Sequence, residues 1–180
     1  ADDGRGLDAG GNGATAYAEA VGVYLGFGAS RAADAWSSVV TWRNQVEASR
    51  NTFARQALPM TWDFTEVNPF SDSCGNWTGN STDWVYKSLL HLPYTGSLSH
   101  ASQADAQTQT VSSGKVVSSD PPYYDNIGYA DLSDFFYVWL RRSLRPIFPN
   151  LYATLAVPKA EELIATPYRH GSKQAAEVFF

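Results

Sequence analysis

Apolar residues recur at helical spacing over residues 14–36, where Tyr17, Val21 and Leu25 fall on one side of a helix. Further apolar residues lie on the other side, and only three residues of the segment are charged. A helix that is apolar almost all round is normally buried. Its three glycines lower its intrinsic stability by roughly 1 kcal/mol each relative to alanine. We therefore expect close packing against another element to compensate.

Further helices are predicted over residues 39–58, 83–91, 131–145 and 158–165. Pro59 ends the first of these segments, because proline cannot continue a helix. Thr82 or Asp83 is expected to accept a hydrogen bond from the free amides that begin the second. The third carries an i, i+3, i+4 apolar stripe and is the strongest helix after the first. Asp131 or Ser133 is expected to cap its start.

The pattern predicts few strands, and all of them are short: residues 61–64, 98–105, 116–117 and 151–157, the last of which is alternatively a buried apolar segment. With 180 residues, 44% of them hydrophobic, the chain can bury one sizeable core. We expect an α/β fold, helix-rich with few strands, in which residues 14–180 form a single domain. Residues 1–13 are polar and glycine-rich, and we interpret them as a flexible lead-in. No hydrophobic strand precedes their glycines, which excludes a cofactor-binding loop there.

Residues 115–125, here called the Pro-Pro corner, interrupt the pattern of elements. The β-branched pair Val116 and Val117 is soon followed by Asp120 and two prolines, which restrict the backbone φ twice and remove two backbone donors. Neither a helix nor a strand ladder continues through such a segment. A corner at the carboxyl end of a strand, with a carboxylate, free carbonyls and two tyrosine rings, is suited to a ligand. An ordinary strand-ending turn has the same composition.

The net charge of −5 argues against a free-standing module that holds nucleic acid on a basic surface. Residues 139–173 are nevertheless basic, with six lysines and arginines against two glutamates. This segment is compatible with phosphate contacts, but Arg141, Arg142 and Arg145 equally suit the last turn of a helix. Cys74 is the only cysteine and the three histidines lack ligand spacing, so we expect no disulfide and no metal. Without a run of about 18 apolar residues, we expect a cytoplasmic protein with no membrane segment.

The motif Asp120-Pro121-Pro122-Tyr123 matches the catalytic motif of amino-methyltransferases, which methylate exocyclic amines of adenine or cytosine in DNA. Longer stretches resemble the large adenine-specific DNA methylases that carry a zinc ribbon elsewhere in the chain: residues 51–60, 119–140 and 158–171. The resemblance covers most of the chain from about residue 14. It implies a Rossmann-like methyltransferase fold, S-adenosylmethionine as the cofactor and DNA as the partner.

The resemblance also implies roles for single residues. Asp120 and the carbonyl of Pro121 would accept hydrogen bonds from the target amine, and the Pro121-Pro122 pair would hold both acceptors in fixed directions. Tyr123 would stack against the target base. By analogy with the same enzymes, Asp105 would lie near the adenine of the cofactor, with a solvated loop acid as the alternative.

One part of the family pattern is missing from residues 1–180, namely the glycine-containing loop that holds S-adenosylmethionine after the first strand. We therefore expect an internal fragment of a larger methylase. The rest of the same polypeptide would supply the cofactor site, and the isolated fragment would be inactive. Alternatives within enzymes are methylation of cytosine N4, of RNA or of a protein amide. The alternative outside enzymes is a noncatalytic scaffold or DNA-binding portion of the methylase.

Overall fold

Helices make up most of the regular structure in the computed structural model of the protein, which describes residues 2–93, 101–121 and 123–180. In chain order the elements are α1 (Ala14–Trp36), β1 (Trp42–Arg43), β2 (Ala48–Ser49), α2 (Asp83–Leu90), α3 (Tyr129–Leu144), α4 (Pro167–His170) and α5 (Lys173–Phe179). A π-helical turn, Thr78–Thr82, leads directly into α2. Within the described ranges, no helix combines the length and apolarity needed to cross a membrane.

The two long helices, α1 and α3, pack against each other, and one of their contacts lies at a glycine. A Cβ added to Gly26 of α1 would lie 3.0 Å from Cδ2 of Leu144 on α3. Leu144 is 2% exposed, and the missing side chain at position 26 makes room for it. The expectation that close packing offsets the glycines of α1 is therefore confirmed at Gly26.

The buried face of α1 consists of small residues: Ala16, Gly26, Gly28 and Ala32. The large residues Tyr17, Val21 and Leu25 are exposed by 74%, 41% and 51%. The expectation of a helix that is buried almost all round is therefore wrong. The spacing of large apolar residues does not identify the side on which a neighbouring helix comes closest, because close approach selects small side chains.

Replacing Gly22 with alanine is expected to raise the free energy of unfolding by about 0.5–1 kcal/mol, since alanine favours the helix and restricts the unfolded chain. The added Cβ would meet Ile147 Cδ1 at 3.6 Å, an ordinary contact. The same replacement at Gly26 is expected to give no gain or a loss, because Leu144 would have to move. Urea titrations followed by circular dichroism measure both effects. An equal gain at both positions would contradict the close contact at Gly26.

Residues 39–58 contain an antiparallel hairpin of β1 and β2 and, over this fully described stretch, no helix. The helix predicted here is therefore wrong. Residues 39–42 are β-branched or aromatic, which favours a pleated backbone. Glu47 between the strands has a φ of 47°, a left-handed conformation that an α-helix does not accommodate.

The hairpin is fastened to the carboxyl-terminal turn of α1 through Thr52, which is fully buried. The Thr52 amide donates to the Asp34 carbonyl at 2.8 Å and to Asp34 Oδ1 at 3.0 Å. Its hydroxyl also donates to the Asp34 carbonyl, at 2.8 Å. These bonds fix the position of the hairpin relative to α1.

The other predicted strands are wrong as far as the structure describes them. Residues 61–64, 101–105, 116–117 and 151–157 form no strand. Residues 98–100, the start of the second of them, lie outside the described residues. The helix predicted over residues 158–165 is also wrong, since this stretch is irregular. A short apolar run becomes a strand only where a partner strand can pair with its backbone groups. The fold is a helix-rich, small mixed α/β structure with a two-stranded antiparallel sheet.

The predictions of α2 and α3 are confirmed within two residues at each end. The start of α2 differs from the expectation, because neither Thr82 nor Asp83 caps it with a side-chain hydrogen bond. The π-helical turn that precedes α2 already continues its backbone, so the first amides of α2 have carbonyl partners there. The Asp83 amide, for example, donates to the Thr78 carbonyl.

Candidate functional site

The described residues of the Pro-Pro corner, 115–121 and 123–125, are irregular and exposed. Val116 and Val117 are exposed by 102% and 64%, and residues 115–119, directly before Asp120, form no strand. The expectation of a corner at the carboxyl end of a strand is therefore wrong. Two β-branched residues favour a strand, but no described segment pairs with them.

Two side chains of the motif are accessible. Asp120 is exposed, and no described residue forms a hydrogen bond or an ion pair with its carboxylate. Tyr123 is 65% exposed. Pro121 is exposed too, while Pro122 lies outside the described residues. The corner thus presents a free acceptor and an open aromatic face a few residues apart.

Tyr124 fastens the end of the corner to the carboxyl-terminal part of the chain. Its φ of 53° is left-handed, which is uncommon for a bulky residue. Its carbonyl accepts a hydrogen bond from the Ala165 amide at 2.9 Å. Its ring meets Phe180 edge-on with centroids 5.1 Å apart, and its hydroxyl donates to Glu177 Oε1 at 3.3 Å. Burial and the charge of Glu177 raise the pKa of Tyr124 above its usual value.

A group of polar side chains, here called the Arg169 cluster, joins α3 to the segment that precedes α5. Arg169 Nη1 donates to Glu162 Oε2 at 2.5 Å, and Nη2 donates to Asp131 Oδ2 at 2.6 Å. The hydroxyl of Tyr168 donates to the same Asp131 oxygen at 2.5 Å. The side chains of Arg169 and Glu162 are 11% and 16% exposed. The cluster therefore pairs a nearly buried cation with two carboxylates.

The Arg169 cluster also supplies the cap of α3. The second oxygen of Glu162, Oε1, accepts a hydrogen bond from the Ala130 amide at 2.9 Å. The residue before the helix, Gly128, makes no side-chain cap. The prediction that Asp131 or Ser133 caps α3 is therefore wrong, because a carboxylate 32 residues away takes this place.

A further ion pair lies one turn along α3, between Asp134 Oδ2 and Lys159 Nζ at 2.6 Å.

The pKa values of the two aspartates of α3 are both lowered. Hydrogen bonds from Tyr168 and the guanidinium of Arg169 lower the pKa of Asp131. Burial acts to raise the pKa of Asp134, but hydrogen bonds from Lys159 and the Val157 amide outweigh it and lower that pKa overall. Both carboxylates are therefore stabilised in their charged form.

Sequence patterns do not indicate the Arg169 cluster. They predict Asp131 as a helix cap and Glu162 as part of a helix. The partners are separated by up to 38 residues in sequence, so no local pattern connects them. The basic character of residues 139–173 was the one available indication, and its phosphate interpretation does not apply to Arg169 and Lys159, which are paired within the chain.

Asp105 closes a turn of its own loop. Its Oδ1 accepts a hydrogen bond from the Gln107 amide at 2.9 Å, and its Oδ2 accepts one from the Thr108 hydroxyl at 3.2 Å. Its carbonyl accepts a hydrogen bond from the Gln109 amide at 3.0 Å. An aspartate that binds backbone groups two residues ahead stabilises a turn. The cofactor role of Asp105 stays a prediction.

The described residues do not by themselves fit S-adenosylmethionine. None of them forms a glycine-containing loop after a strand, and both carboxylate oxygens of Asp105 are used within its turn. Groups of histidine, cysteine, aspartate and glutamate that could hold a metal ion are absent from the described ranges as well. The Asp120 carboxylate can accept hydrogen bonds from a ligand, and the exposed ring of Tyr123 can contact a flat one.

Comparison with models of protein families, with curated proteins and with solved structures gave no match to the chain.

Proposed function

We propose that the chain is the acceptor-binding part of an S-adenosylmethionine-dependent DNA methyltransferase that acts on adenine N6. One observation carries the proposal: the Asp120 carboxylate is exposed and unpaired within the described chain, and the ring of Tyr123, three residues further on, is exposed as well. A structural aspartate in a turn normally binds nearby amides, as Asp105 does here. An aspartate left without partners is available to a ligand.

The attachment of Tyr124 supports the same proposal. A ligand site needs side chains held in place by the surrounding backbone. The residue directly after the motif has a left-handed φ, and its carbonyl, ring and hydroxyl all have partners. Strained backbone of this kind occurs more often at functional sites than elsewhere.

The chemistry of the motif suits an exocyclic amine. The lone pair of the adenine amine is delocalised into the ring, which makes the nitrogen a poor nucleophile. Acceptors on both amine hydrogens favour the pyramidal nitrogen, whose lone pair is free, and so stabilise the transition state. Asp120 offers one acceptor and the Pro121 carbonyl the second. Tyr123 offers a face for the base, which has to be rotated out of the duplex to reach it.

The large accessible surface supports a role within a larger catalytic unit. The chain exposes 13264 Å² at a mass of 19.7 kDa, whereas a compact monomer of that mass exposes about 8,600 Å². Apolar residues such as Met60, Trp62 and Phe70 are exposed by more than four fifths. In this proposal they pack against the remainder of a Rossmann-like methyltransferase fold, which also holds the cofactor.

The test is methyl transfer from labelled S-adenosylmethionine to adenine-containing duplex DNA, by the chain alone and by the complete reading frame that contains it. Replacing Asp120 with asparagine is expected to lower kcat of the active form by about 100-fold, since one charged acceptor is lost from the transition state. Asp125→Asn is the matched control, because Asp125 is also exposed and has no hydrogen-bond partner among the described residues.

Three results would contradict the proposal. The complete reading frame would fail to transfer methyl groups, the two variants would lose equal activity, or Asp120→Asn would retain the activity of the unaltered protein. Mass spectrometry of the digested DNA identifies the product. N4-methylcytosine instead of N6-methyladenine would keep the enzyme class and change the base. Binding of DNA without methyl transfer by any form would favour the noncatalytic DNA-binding alternative.

A further inference from the structure

Three arginines surround a small polar cleft between α1, the hairpin and the loop before α2. The cleft has a volume of about 240 Å³, and Arg31, Arg43 and Arg50 all line it. Asp34 is the one acid among its lining residues, so the cleft walls carry an excess of positive charge in a chain whose net charge is −5.

None of the three arginines forms an ion pair with a carboxylate within the described chain. The oxygens of Asp34 accept hydrogen bonds from neutral amides, Oδ1 from the Thr52 amide and Oδ2 from the side-chain amide of Asn51. The single negative charge of Asp34 therefore offsets at most one of the three positive charges that line the cleft. Guanidinium groups that form no ion pair are suited to an anion with several oxygens, because their donors match phosphate geometry.

Interactions within the chain hold the walls of the cleft in position before a ligand binds. Arg31 Nε donates to the Asn80 carbonyl at 2.6 Å, and its guanidinium lies 4.9 Å from the ring centre of Trp84. The amide of Arg50 donates to the Thr41 carbonyl at 2.8 Å, which extends the hairpin by one residue. A site organised before binding loses less conformational entropy when the ligand arrives.

An aromatic cleft adjoins the arginine cleft and shares part of its wall. Its volume is about 510 Å³, and the residues that it shares with the smaller cleft are Asp34, Arg43, Arg50 and Asn51. The remaining lining is Ala54 with Phe53 and Phe136, whose ring centroids are 5.7 Å apart. A flat ring can stack on such side chains while a phosphate attached to it reaches the arginines.

We propose that the two adjoining clefts form one nucleotide-binding site, in which Arg43 and Arg50 bind a phosphate group and Phe53 and Phe136 contact the base. The ligand group recognised is a nucleoside phosphate, which either a single-stranded nucleic acid or a free mononucleotide contains. The site stands apart from Asp120 in sequence and chemistry. It does not depend on the methyltransferase activity proposed above.

The test measures binding of a fluorescein-labelled single-stranded oligonucleotide to the full chain by fluorescence anisotropy over a range of salt concentrations. The double variant Arg43→Gln/Arg50→Gln is expected to bind at least about tenfold more weakly. The slope of log K against the logarithm of the salt concentration is expected to be smaller by about 0.7, which corresponds to the loss of one phosphate contact on a single strand.

Arg142→Gln/Arg145→Gln is the matched control, because it removes the same charge from exposed arginines without ion pairs in the described chain. Arg142 lies about 9 Å further along the helix axis than Phe136, and Arg145 directly follows the end of α3. The control is expected to change the affinity by less than about twofold. Equal losses in both double variants, or no binding by the unaltered chain at low salt, would overturn the proposal.

Competition separates the two sources of the phosphate. Displacement of the labelled oligonucleotide by adenosine monophosphate at similar concentration favours a free nucleotide, and much tighter binding of the oligonucleotide favours a polynucleotide. Inorganic phosphate is expected to compete less well than adenosine monophosphate, since it lacks a ring. Equal competition by the two would overturn the stacking role of the phenylalanines. Asp120→Asn is expected to retain this binding, so failure of methyl transfer and failure of nucleotide binding are distinguishable.

Discussion

Replacing Leu144 with alanine is expected to lower the free energy of unfolding by about 3 kcal/mol. Removal of this fully buried side chain leaves a cavity that the neighbouring helix cannot fill. Leu144 is 2% exposed and lies directly against the bare backbone of Gly26. Its carbonyl also accepts hydrogen bonds from the amides of Ile147 and Phe148, which lead the chain away from α3. The contact between α1 and α3 depends on this side chain.

Chemical denaturation followed by circular dichroism measures the loss at Leu144. Leu155→Ala is the matched control, since the same atoms are removed from a side chain that is 84% exposed, and about 0.5 kcal/mol or less is expected there. The double variant Leu144→Ala/Gly26→Ala is a second test. The new methyl group would enter the cavity, so the two changes should be non-additive and partly compensating. Equal effects at Leu144 and Leu155 would show that Leu144 is not part of a packed core.

Replacing Arg169 with alanine is expected to lower the free energy of unfolding by about 3 kcal/mol, the lower end of the range for a broken buried ion pair, because Asp131 is 41% exposed. Glu162 would lose its cation at an exposure of 16%. Since Glu162 also holds the Ala130 amide, the start of α3 would be affected as well. The lower free energy of unfolding is therefore expected to have two causes, the unpaired carboxylate of Glu162 and the weakened cap of α3.

Acid titration separates the Arg169 effect from a general loss of packing. The pKa of Asp131 is lowered from its ordinary value of 3.8 by Tyr168 and Arg169. A lowered folded-state pKa adds stability that is present above the unfolded pKa and is lost as the pH falls through the folded one. Unfolding midpoints measured from pH 7 to below pH 4 should therefore fall less steeply at acid pH in Arg169→Ala. Arg142→Ala, at an exposed position without an ion pair in the described chain, should keep the original slope.

Local regularities in the sequence were sufficient to locate α1, α2 and α3, because helical spacing, stop signals and turn residues act within a few positions. They were insufficient to predict the hairpin in residues 39–58. The position of the hairpin depends on hydrogen bonds between Thr52 and Asp34, which lies 18 residues upstream on another element. Short β-branched runs such as Val116 and Val117 were interpreted as strands, but a strand also needs a partner that such runs do not encode.

The candidate site shows the same division. Asp120 and Tyr123 were recognised from a contiguous motif, and the structure places both at the surface. The left-handed backbone of Tyr124 and its attachment to Ala165 were not recognisable, because the hydrogen bond spans 41 positions of the chain. The two adjoining clefts were missed for a related reason. Arg43 and Arg50 are close to each other in sequence, but Phe136 is brought to them only by the packing of α3 on α1.

The sequence by itself determined the positions of three helices and the chemical identity of the Pro-Pro corner, because propensity and short motifs act through neighbouring residues. Only the tertiary structure decided that small residues form the buried face of α1, that Glu162 caps α3 and that three arginines share one cleft. The physical reason is that burial, ion pairing and cavity shape depend on which distant segments meet. Packing and long-range hydrogen bonds bring these segments into contact, and no short stretch of the sequence contains both partners.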